Sequence, residues 1–210
     1  MKIIILALVL ALPACARAEE AESPERELEG ISIRGSLGVF KPKSGQAKGE
    51  GYVAGMELER HLPSGLRYGF DLNFYGVNFR TPQGLSCGMF CTVDTTMSLD
   101  VVGVGGTVGY GRQFGIADLY VGAGAGLYFS TMSASEDFLG IPGEHDEKDT
   151  SPGLDLRAGI SLAVSDRISL GIQLRRLAVS GNFGQLGSTP IGGSFVLLTL
   201  ATCFPHCARP

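Results

Sequence analysis

The sequence predicts an all-β fold, an eight-stranded antiparallel up-and-down transmembrane β-barrel. Three observations favour this fold. Apolar residues recur at every second position from residue 31 onward, which is the period of a strand and not of a helix. The connections between the predicted strands alternate between short and long. After residue 30, lysine is confined to the long connections, whereas soluble sheets commonly carry it on exposed strands.

Eight segments show the alternation. In the sixth, for example, Leu154 and Leu156 flank Asp155. The phase of the alternation changes near Val101 and Val102, which predicts a β-bulge in the fourth strand. Most segments reach the ~9–11 residues that a tilted membrane strand needs. The predicted strands span residues 31–40, 51–60, 66–79, 97–113, 118–130, 153–164, 168–179 and 194–204.

The two ends of this predicted sheet differ in the length of their connections. Short connections cover residues 61–65, 114–117 and 165–167, and long ones cover residues 41–50, 80–96, 131–152 and 180–193. Outer-membrane barrels have this asymmetry, with short periplasmic turns and longer external loops. The apolar faces then meet lipid, and glycine, serine, asparagine and a few charges fill the narrow interior. A secreted lipocalin-like barrel with its apolar face inside is the alternative, which the confinement of lysine disfavours.

Aromatic residues near both ends of the strands favour the membrane interpretation, because outer-membrane barrels carry interfacial aromatic girdles. Strand propensity alone also enriches phenylalanine and tyrosine, which is the alternative explanation. The residues assigned to the girdles are Phe40, Tyr52, Phe79, Phe129 and Phe195 near the long connections, and Tyr68, Tyr110, Tyr120 and Phe204 near the short turns.

Composition excludes several other classes of protein. Hydrophobic residues make up 44% of the chain, which excludes a disordered polymer, and 31 glycines without a three-residue period exclude collagen. The formal net charge of −4 argues against nucleic acid as a partner. The longest apolar run is shorter than the ~18 residues of a membrane helix.

The N-terminus predicts an export signal. Lys2 precedes an apolar run over residues 3–12, and residues 16–18 (ARA) match the small-x-small pattern that signal peptidase cuts. We therefore expect cleavage near Ala18. The predicted organisation is a signal peptide over 1–18, a flexible segment over 19–30, the barrel over 31–204 and a C-terminal tail over 205–210.

The alternative for the N-terminus is a lipoprotein. Residues 12–15 (LPAC) resemble a lipobox, in which Cys15 would carry the lipid. Cysteine parity does not distinguish the two processing routes, because either one leaves four of the five cysteines available.

Residues 31–204 resemble the eight-stranded OmpA/OmpX/OmpW-like outer-membrane β-barrel proteins of Gram-negative bacteria. The resemblance rests on the signal peptide, the eight amphipathic strands, the alternating connections and the last strand, SFVLLTLATCF, which ends on Phe204. It implies a place in the cell outer membrane, insertion by the barrel-assembly machinery, and contact with outer-membrane lipid and lipopolysaccharide. The residues PHCARP after Phe204 depart from the family pattern. No catalytic motif of the family is matched.

The inward parity of the strands collects a network of charged residues, four positive and four negative. The members are Arg34, Glu57, Glu59, Arg67, Asp71, Asp155, Arg157 and Arg175. Simple hairpin registers place Arg34 beside Glu57, and Glu59 beside Arg67. Because buried charges need partners, this network predicts a polar plug that fills and stiffens the barrel. The alternative is a gate that opens a narrow pathway when the charges exchange partners.

Two cysteine pairs are expected to form local disulfides. Cys87 and Cys91 lie in the second long connection, and Cys203 and Cys207 lie at the C-terminus. The compartment is oxidising, and the predicted topology separates the two pairs by the membrane. The alternative, a zinc site with Cys203, His206 and Cys207, lacks the fourth ligand of a structural site. The haem-attachment motif Cys-x-x-Cys-His is absent from the sequence, and we expect neither metal nor cofactor.

The third long connection, residues 131–152, is acidic and carries one lysine, Lys148. A solvated loop is the expected state. Binding of divalent cations is the alternative, although the spacing of an EF-hand is missing.

An enzyme is not expected. Acyl-transfer chemistry needs a serine nucleophile, a histidine base and an orienting group. His145 lies in the acidic connection near several serines, His61 lies in a short turn and His206 lies in the tail, so no histidine is predicted on a strand. A barrel hydrolase that modifies lipids remains a minor alternative.

These observations predict a non-enzymatic, monomeric outer-membrane barrel with a mostly closed polar lumen and a structural or surface-interaction role. An extracellular partner would bind through residues 80–96 and 131–152. The alternative function is a narrow outer-membrane channel for small or apolar solutes.

Overall fold

The computed structural model describes residues 30–43, 51–81, 95–138, 141–183 and 187–204. Nearly all of these residues lie in β-strands. The strands are β1 (Gly30–Pro42), β2 (Gly51–His61), β3 (Leu66–Thr81), β4 (Thr95–Phe114), β5 (Ala117–Phe138), β6 (Ile141–Ala163), β7 (Ile168–Phe183), β8 (Gly187–Pro190) and β9 (Gly193–Phe204). The predicted signal peptide, residues 19–29 of the predicted flexible segment and the C-terminal tail lie outside the described residues, whereas Gly30 begins β1.

Eight of the strands close into an antiparallel barrel. Neighbouring strands pair in chain order from β1 to β7, and β9 joins β7 to β1. The predicted eight-stranded up-and-down barrel is confirmed. The short β8, which the sequence did not predict, pairs only with the end of β7, from Ser180↔Pro190 to Phe183↔Gly187.

Two local predictions are wrong. The connection predicted over residues 131–152 is largely a hairpin, because β5 and β6 stay paired up to Phe138↔Ile141. The predicted bulge is absent, since the β3–β4 register passes from Tyr75↔Val101 to Phe74↔Val102 without an extra residue. The side chains keep their parity there, and the apolar pattern changes phase because the interior itself becomes apolar at that level.

The short connections are tight turns. Gly65 and Gly115 have positive φ angles of 85° and 58°, which side chains with a Cβ rarely adopt. The backbone N–H of Gly65 donates to the carbonyl of Leu62 at 2.9 Å. These turns bring β2 back to β3, and β4 back to β5, within a few residues.

The outward-facing side chains form an apolar band around the wall. Leu37, Phe70 and Leu198 are 67%, 71% and 69% exposed. Such a band is far larger than the apolar patches of soluble monomers, and it is the surface that outer-membrane barrels present to lipid. Among the described residues, no helix is long and apolar enough to cross a membrane.

The aromatic girdles are only partly as predicted. The residues that point outward are Tyr52, Tyr68, Tyr110, Phe129 and Phe204. The assignment is wrong for Phe40, Tyr120 and Phe195, which are buried inside the barrel. All three stand at positions of inward parity, where large rings fill the interior. The side chain of Phe79 lies outside the described part of the chain.

The lumen as the candidate functional site

All eight predicted charged residues lie inside the barrel and are buried, with at most 6% of each residue exposed. Seven of them, together with Asn73 on β3, form a layer across the lumen, which we call the charge layer. The seven are Arg34, Glu57, Glu59, Asp71, Asp155, Arg157 and Arg175. The eighth, Arg67, lies nearer the short turns.

The pair of Arg34 and Glu57 arises from strand register. The two residues are directly opposite each other on β1 and β2, both on the inward face. The Nη1 atom of Arg34 donates to Oε2 of Glu57 at 2.9 Å, and Nη2 lies 3.2 Å from Oε2 of Glu59. One guanidinium therefore contacts two carboxylates of the neighbouring strand.

Arg157 crosses the lumen. It lies on β6, four strands from β2 in either direction around the barrel, and its Nη1 atom donates to Glu57. Asp155, two residues earlier on β6, holds the same guanidinium through Nη2 at 2.7 Å and Nε at 2.9 Å. An arginine from one wall thus pairs with a carboxylate on the opposite wall.

Arg175 makes a second crossing. It lies on β7, opposite β3, and its Nη2 atom is 2.8 Å from Oδ2 of Asp71 and 2.9 Å from Oδ2 of Asp155. Its Nη1 atom donates to Oδ1 of Asn73 at 2.6 Å, and Nη2 donates to the hydroxyl of Tyr128 at 3.3 Å. With Arg157, this residue ties the barrel across two diameters.

Arg67 does not pair with Glu59 as the hairpin register suggested. His61 is the residue opposite Arg67, and Arg67 forms its ion pair with Asp118 on β5, at 2.5 Å. Sequence reasoning missed Asp118. The alternation of β5 could have predicted it, because Asp118 lies two residues from Tyr120 and therefore on the same inward face. Tyr120 had been assigned to the outer girdle, which hid this relationship.

Tyr120 links the charge layer to Arg67. Its ring lies between two guanidinium groups, with the Cζ atom of Arg34 at 4.6 Å from the ring centroid and that of Arg67 at 5.5 Å. Cation–π contacts of this kind favour a cation that has lost its water. The ring therefore helps to hold two arginines in one narrow lumen.

A second layer, nearer the long connections, is apolar. Rings of Phe40, Tyr75 and Phe195 meet with centroids 4.8–5.2 Å apart. The hydroxyl of Tyr75 donates to the carbonyl of Ile191, which is fully buried. We call this layer the apolar plug; its members are Phe40, Val53, Tyr75, Val77, Leu99, Val101, Tyr128, Met132, Leu177, Val179, Phe183, Ile191, Phe195 and Leu197.

The apolar plug was not predicted from the sequence. The signal for it was the change of phase at Val101 and Val102, which marks the level where both faces of β4 become apolar. Leu99 and Val101 face the lumen, whereas Val102 faces outward.

A small cavity of ≈ 40 Å³ lies at the short-turn end of the lumen. Ser32, His61, Arg67 and Asp118 are among its lining residues. A polar cavity of this size has room for a few waters. These waters would meet the Nη1 atom of Arg67, which is buried and has no hydrogen-bond partner in the described structure.

The other candidate residues are mostly not described. Cys203, near the end of β9, is buried and is disulfide-bonded. Cys87, Cys91 and Cys207 lie outside the described residues, so both predicted pairings stay predictions. Within the described ranges, no group of three or more acidic, histidine or cysteine side chains is arranged to hold a metal ion.

Comparison with known proteins agrees with this architecture. The sequence matches the outer membrane protein beta-barrel domain family over residues 4–196. The chain belongs to this family. The outward apolar band is therefore the membrane-facing surface of an outer-membrane barrel. No curated protein matches the chain.

Two solved structures are similar to it at low identity. Neisserial surface protein A is 17% identical, with 83% of this chain and 96% of that protein covered and a TM-score of 0.48. Ail, the attachment invasion locus protein of Yersinia pestis, in complex with the heparin analogue sucrose octasulfate, is 13% identical, with 84% and 97% covered and a TM-score of 0.42.

Proposed function

We propose that this protein is a non-enzymatic, non-conducting outer-membrane barrel that serves a structural or surface-interaction role. One observation carries the proposal. The charge layer and the apolar plug fill the lumen at two successive levels, and the cavity of ≈ 40 Å³ lies at the short-turn end. A solute that crosses the barrel has to displace both.

The two levels oppose transport for different physical reasons. Passage through the charge layer requires Arg157 or Arg175 to leave its partners, and leaving one partner of a buried ion pair unmatched costs about 3–5 kcal/mol. Passage through the apolar plug requires an ion to lose its water among packed aromatic and aliphatic side chains, which is more costly still. These costs favour the closed barrel over the channel for small or apolar solutes.

We propose that the long-connection end faces the cell exterior. The alternation of short and long connections supports this orientation, as does the hairpin of β5 and β6 that continues beyond the apolar band. In this orientation, residues 80–96 and 131–152 meet an extracellular partner. Export with cleavage near Ala18, insertion by the barrel-assembly machinery and a monomeric state belong to the same proposal.

Planar-bilayer recordings test the closed lumen. We expect the folded wild-type protein to give no steady conductance. A variant that opens both layers, Glu57→Ala and Glu59→Ala combined with Phe40→Ala and Phe195→Ala, is the positive control and should conduct. Large, regular conductance steps from the wild type would refute the proposal and favour the channel.

Labelling of intact cells tests the orientation. After the predicted cleavage, the lysines are Lys41, Lys43, Lys48 and Lys148, all toward the long-connection end. A membrane-impermeant amine reagent should label them on intact cells. Labelling that appears only after the outer membrane is made permeable would show that this end faces the periplasm.

A further inference from the structure

We propose that the outer wall of the barrel carries a binding site for a phosphorylated headgroup of an outer-leaflet glycolipid. Lys41, Lys43 and Arg176 would bind its phosphate, and the apolar surface beside them would take its acyl chains. This inference rests on the proposed orientation, in which the long-connection end lies at the outer leaflet.

The first observation is a row of residues across three strands, which we call the basic rung. Arg176 on β7 is directly opposite Ser194 on β9, and Ser194 is directly opposite Lys41 on β1. All three side chains are exposed on the outward face. Neighbouring strands are ~4.8 Å apart, so the backbones of the two cationic residues lie on either side of Ser194 and ~10 Å from each other. Both side chains are long enough to reach one phosphate above the serine hydroxyl.

The second observation is the surface next to the basic rung. Two residues closer to the centre of the band, the same three strands place Leu174, Val196 and Val39 side by side, 56%, 49% and 50% exposed. One further step along the strands, Ile172, Leu198 and Leu37 follow in the same way, at 48%, 69% and 67%. The cations therefore stand at the edge of a continuous apolar strip, three strands wide. An acyl chain can lie along this strip while its headgroup stays at the rung.

The third observation is a groove of ≈ 400 Å³ on the far side of the basic rung from the apolar strip. Its lining includes Lys43, the residue after β1, with Pro152 on β6 and Ser180 on β7, and all three are exposed. The backbone N–H of Lys43 donates to the carbonyl of Gly192 at 3.1 Å, which holds the main chain of Lys43 beside the start of β9. The groove is large enough for a phosphorylated sugar.

Charge complementarity selects an anionic occupant. Within the described part of the chain, no ion pair or hydrogen bond occupies the side chains of Lys41, Lys43 or Arg176. An arginine at the other edge of the band differs, because the guanidinium of Arg112 lies over the ring of Phe114 at 5.6 Å. Three cations without acidic partners repel one another, and a phosphate between them removes that cost. Each cation near an anionic lipid contributes about 1 kcal/mol.

Native mass spectrometry of the folded full-length protein tests the site. The protein is released from a neutral detergent after titration with diphosphorylated lipid A. We expect one bound lipid A for the wild type and roughly 30-fold weaker binding for Lys41→Gln with Arg176→Gln. The matched control, Arg112→Gln with Lys148→Gln, also removes two outward-facing cations but leaves the basic rung intact, so its binding should equal that of the wild type. The heat-dependent gel shift of a closed barrel verifies that each variant is folded.

Two further probes separate the headgroup from other sources of the signal. We call Lys41→Gln with Arg176→Gln the rung variant. Dephosphorylated lipid A should bind to the wild type only as weakly as diphosphorylated lipid A binds to the rung variant, because the cations then have no phosphate to contact. Inorganic phosphate alone should not displace lipid A at matched concentration, because it cannot use the apolar strip. Equal binding by the wild type and the rung variant, or displacement by inorganic phosphate, would overturn the inference.

The failure of this site can be distinguished from the failure of the proposed function. The basic rung lies on the outer wall, so its substitution leaves the charge layer and the apolar plug unchanged. A wild-type barrel that does not conduct and is labelled on intact cells, but binds lipid A no better than the rung variant, would refute only the lipid site.

Discussion

Arg157 on β6 donates to Glu57 on β2, and the two strands lie on opposite sides of the barrel. The lumen is therefore no wider at this level than an arginine and a glutamate side chain placed end to end. Small residues on the wall make room for the ions. At Gly124, for example, an added Cβ would lie 2.4 Å from Oδ2 of Asp155.

Removing the acidic partners of the charge layer should destabilise the barrel. In Glu57→Ala with Glu59→Ala, Arg34 loses both of its carboxylates and Arg157 loses its tie to the opposite wall. We expect the free energy of unfolding to fall by about 3–5 kcal/mol, less where water enters the lumen. Urea unfolding in micelles, followed by the gel shift, measures this change. Asp146→Ala, at an exposed carboxylate of β6, should leave the midpoint unchanged, and equal midpoints for all three proteins would contradict the role of the network.

Truncating the apolar plug should destabilise the barrel without opening it. Phe195→Ala removes a ring that packs on both Phe40 and Tyr75, and such substitutions cost about 3–5 kcal/mol. The variant should still give no steady conductance, because the charge layer remains. Phe74→Ala, at a lipid-facing ring that is 44% exposed, is the control and should cost less. Steady conductance after Phe195→Ala alone would show that the charge layer does not seal the lumen.

A methyl group at Gly159 should be poorly tolerated. A Cβ there would lie 2.4 Å from the hydroxyl oxygen of Tyr120, whose ring is held between Arg34 and Arg67. We expect Gly159→Ala to lower the thermal unfolding midpoint by circular dichroism. Gly106→Ala is the matched control, since the nearest atom to its Cβ would be 3.9 Å away. Equal midpoints would mean that Tyr120 can move without cost.

The cysteine pairings can be read from a peptide map without reduction. We expect Cys87–Cys91 and Cys203–Cys207, because the proposed topology separates the two pairs by the membrane. A peptide that joins the two pairs would be incompatible with this topology. Free thiols at all four positions would instead indicate metal or redox chemistry.

Much of the barrel could be predicted from the sequence, because strand parity and connection length are local properties. The alternation of Leu154 and Leu156 with Asp155, for example, predicts the lipid-facing side of a strand without any knowledge of its neighbours. The ends of β5 and β6 were harder, because residues 131–152 are rich in acidic residues and serine, and their few apolar residues do not recur at every second position. The period that predicts a strand elsewhere in the chain is therefore missing from this hairpin.

The lumen was predictable only where its contacts are local. Arg34 and Glu57 face each other because one hairpin register puts them there. Arg157 and Glu57 are 100 residues apart, and their contact depends on how the closed barrel staggers its strands. The predicted partner of Arg67 was wrong for the same reason, because its actual partner, Asp118, lies on β5, two strands away from β3 around the barrel.

The rim at the long-connection end is uneven. The β6–β7 ladder ends at Gly153↔Val179, whereas β6 remains paired with β5 up to Ile141↔Phe138. Nine residues of β5 beyond Phe129, at ~3.4 Å each, extend ~30 Å along the strand. Among the described residues, the β5–β6 pair therefore extends well beyond the point at which β6 and β7 part. A macromolecule that binds at this end can therefore contact the side of the β5–β6 hairpin as well as the mouth of the barrel.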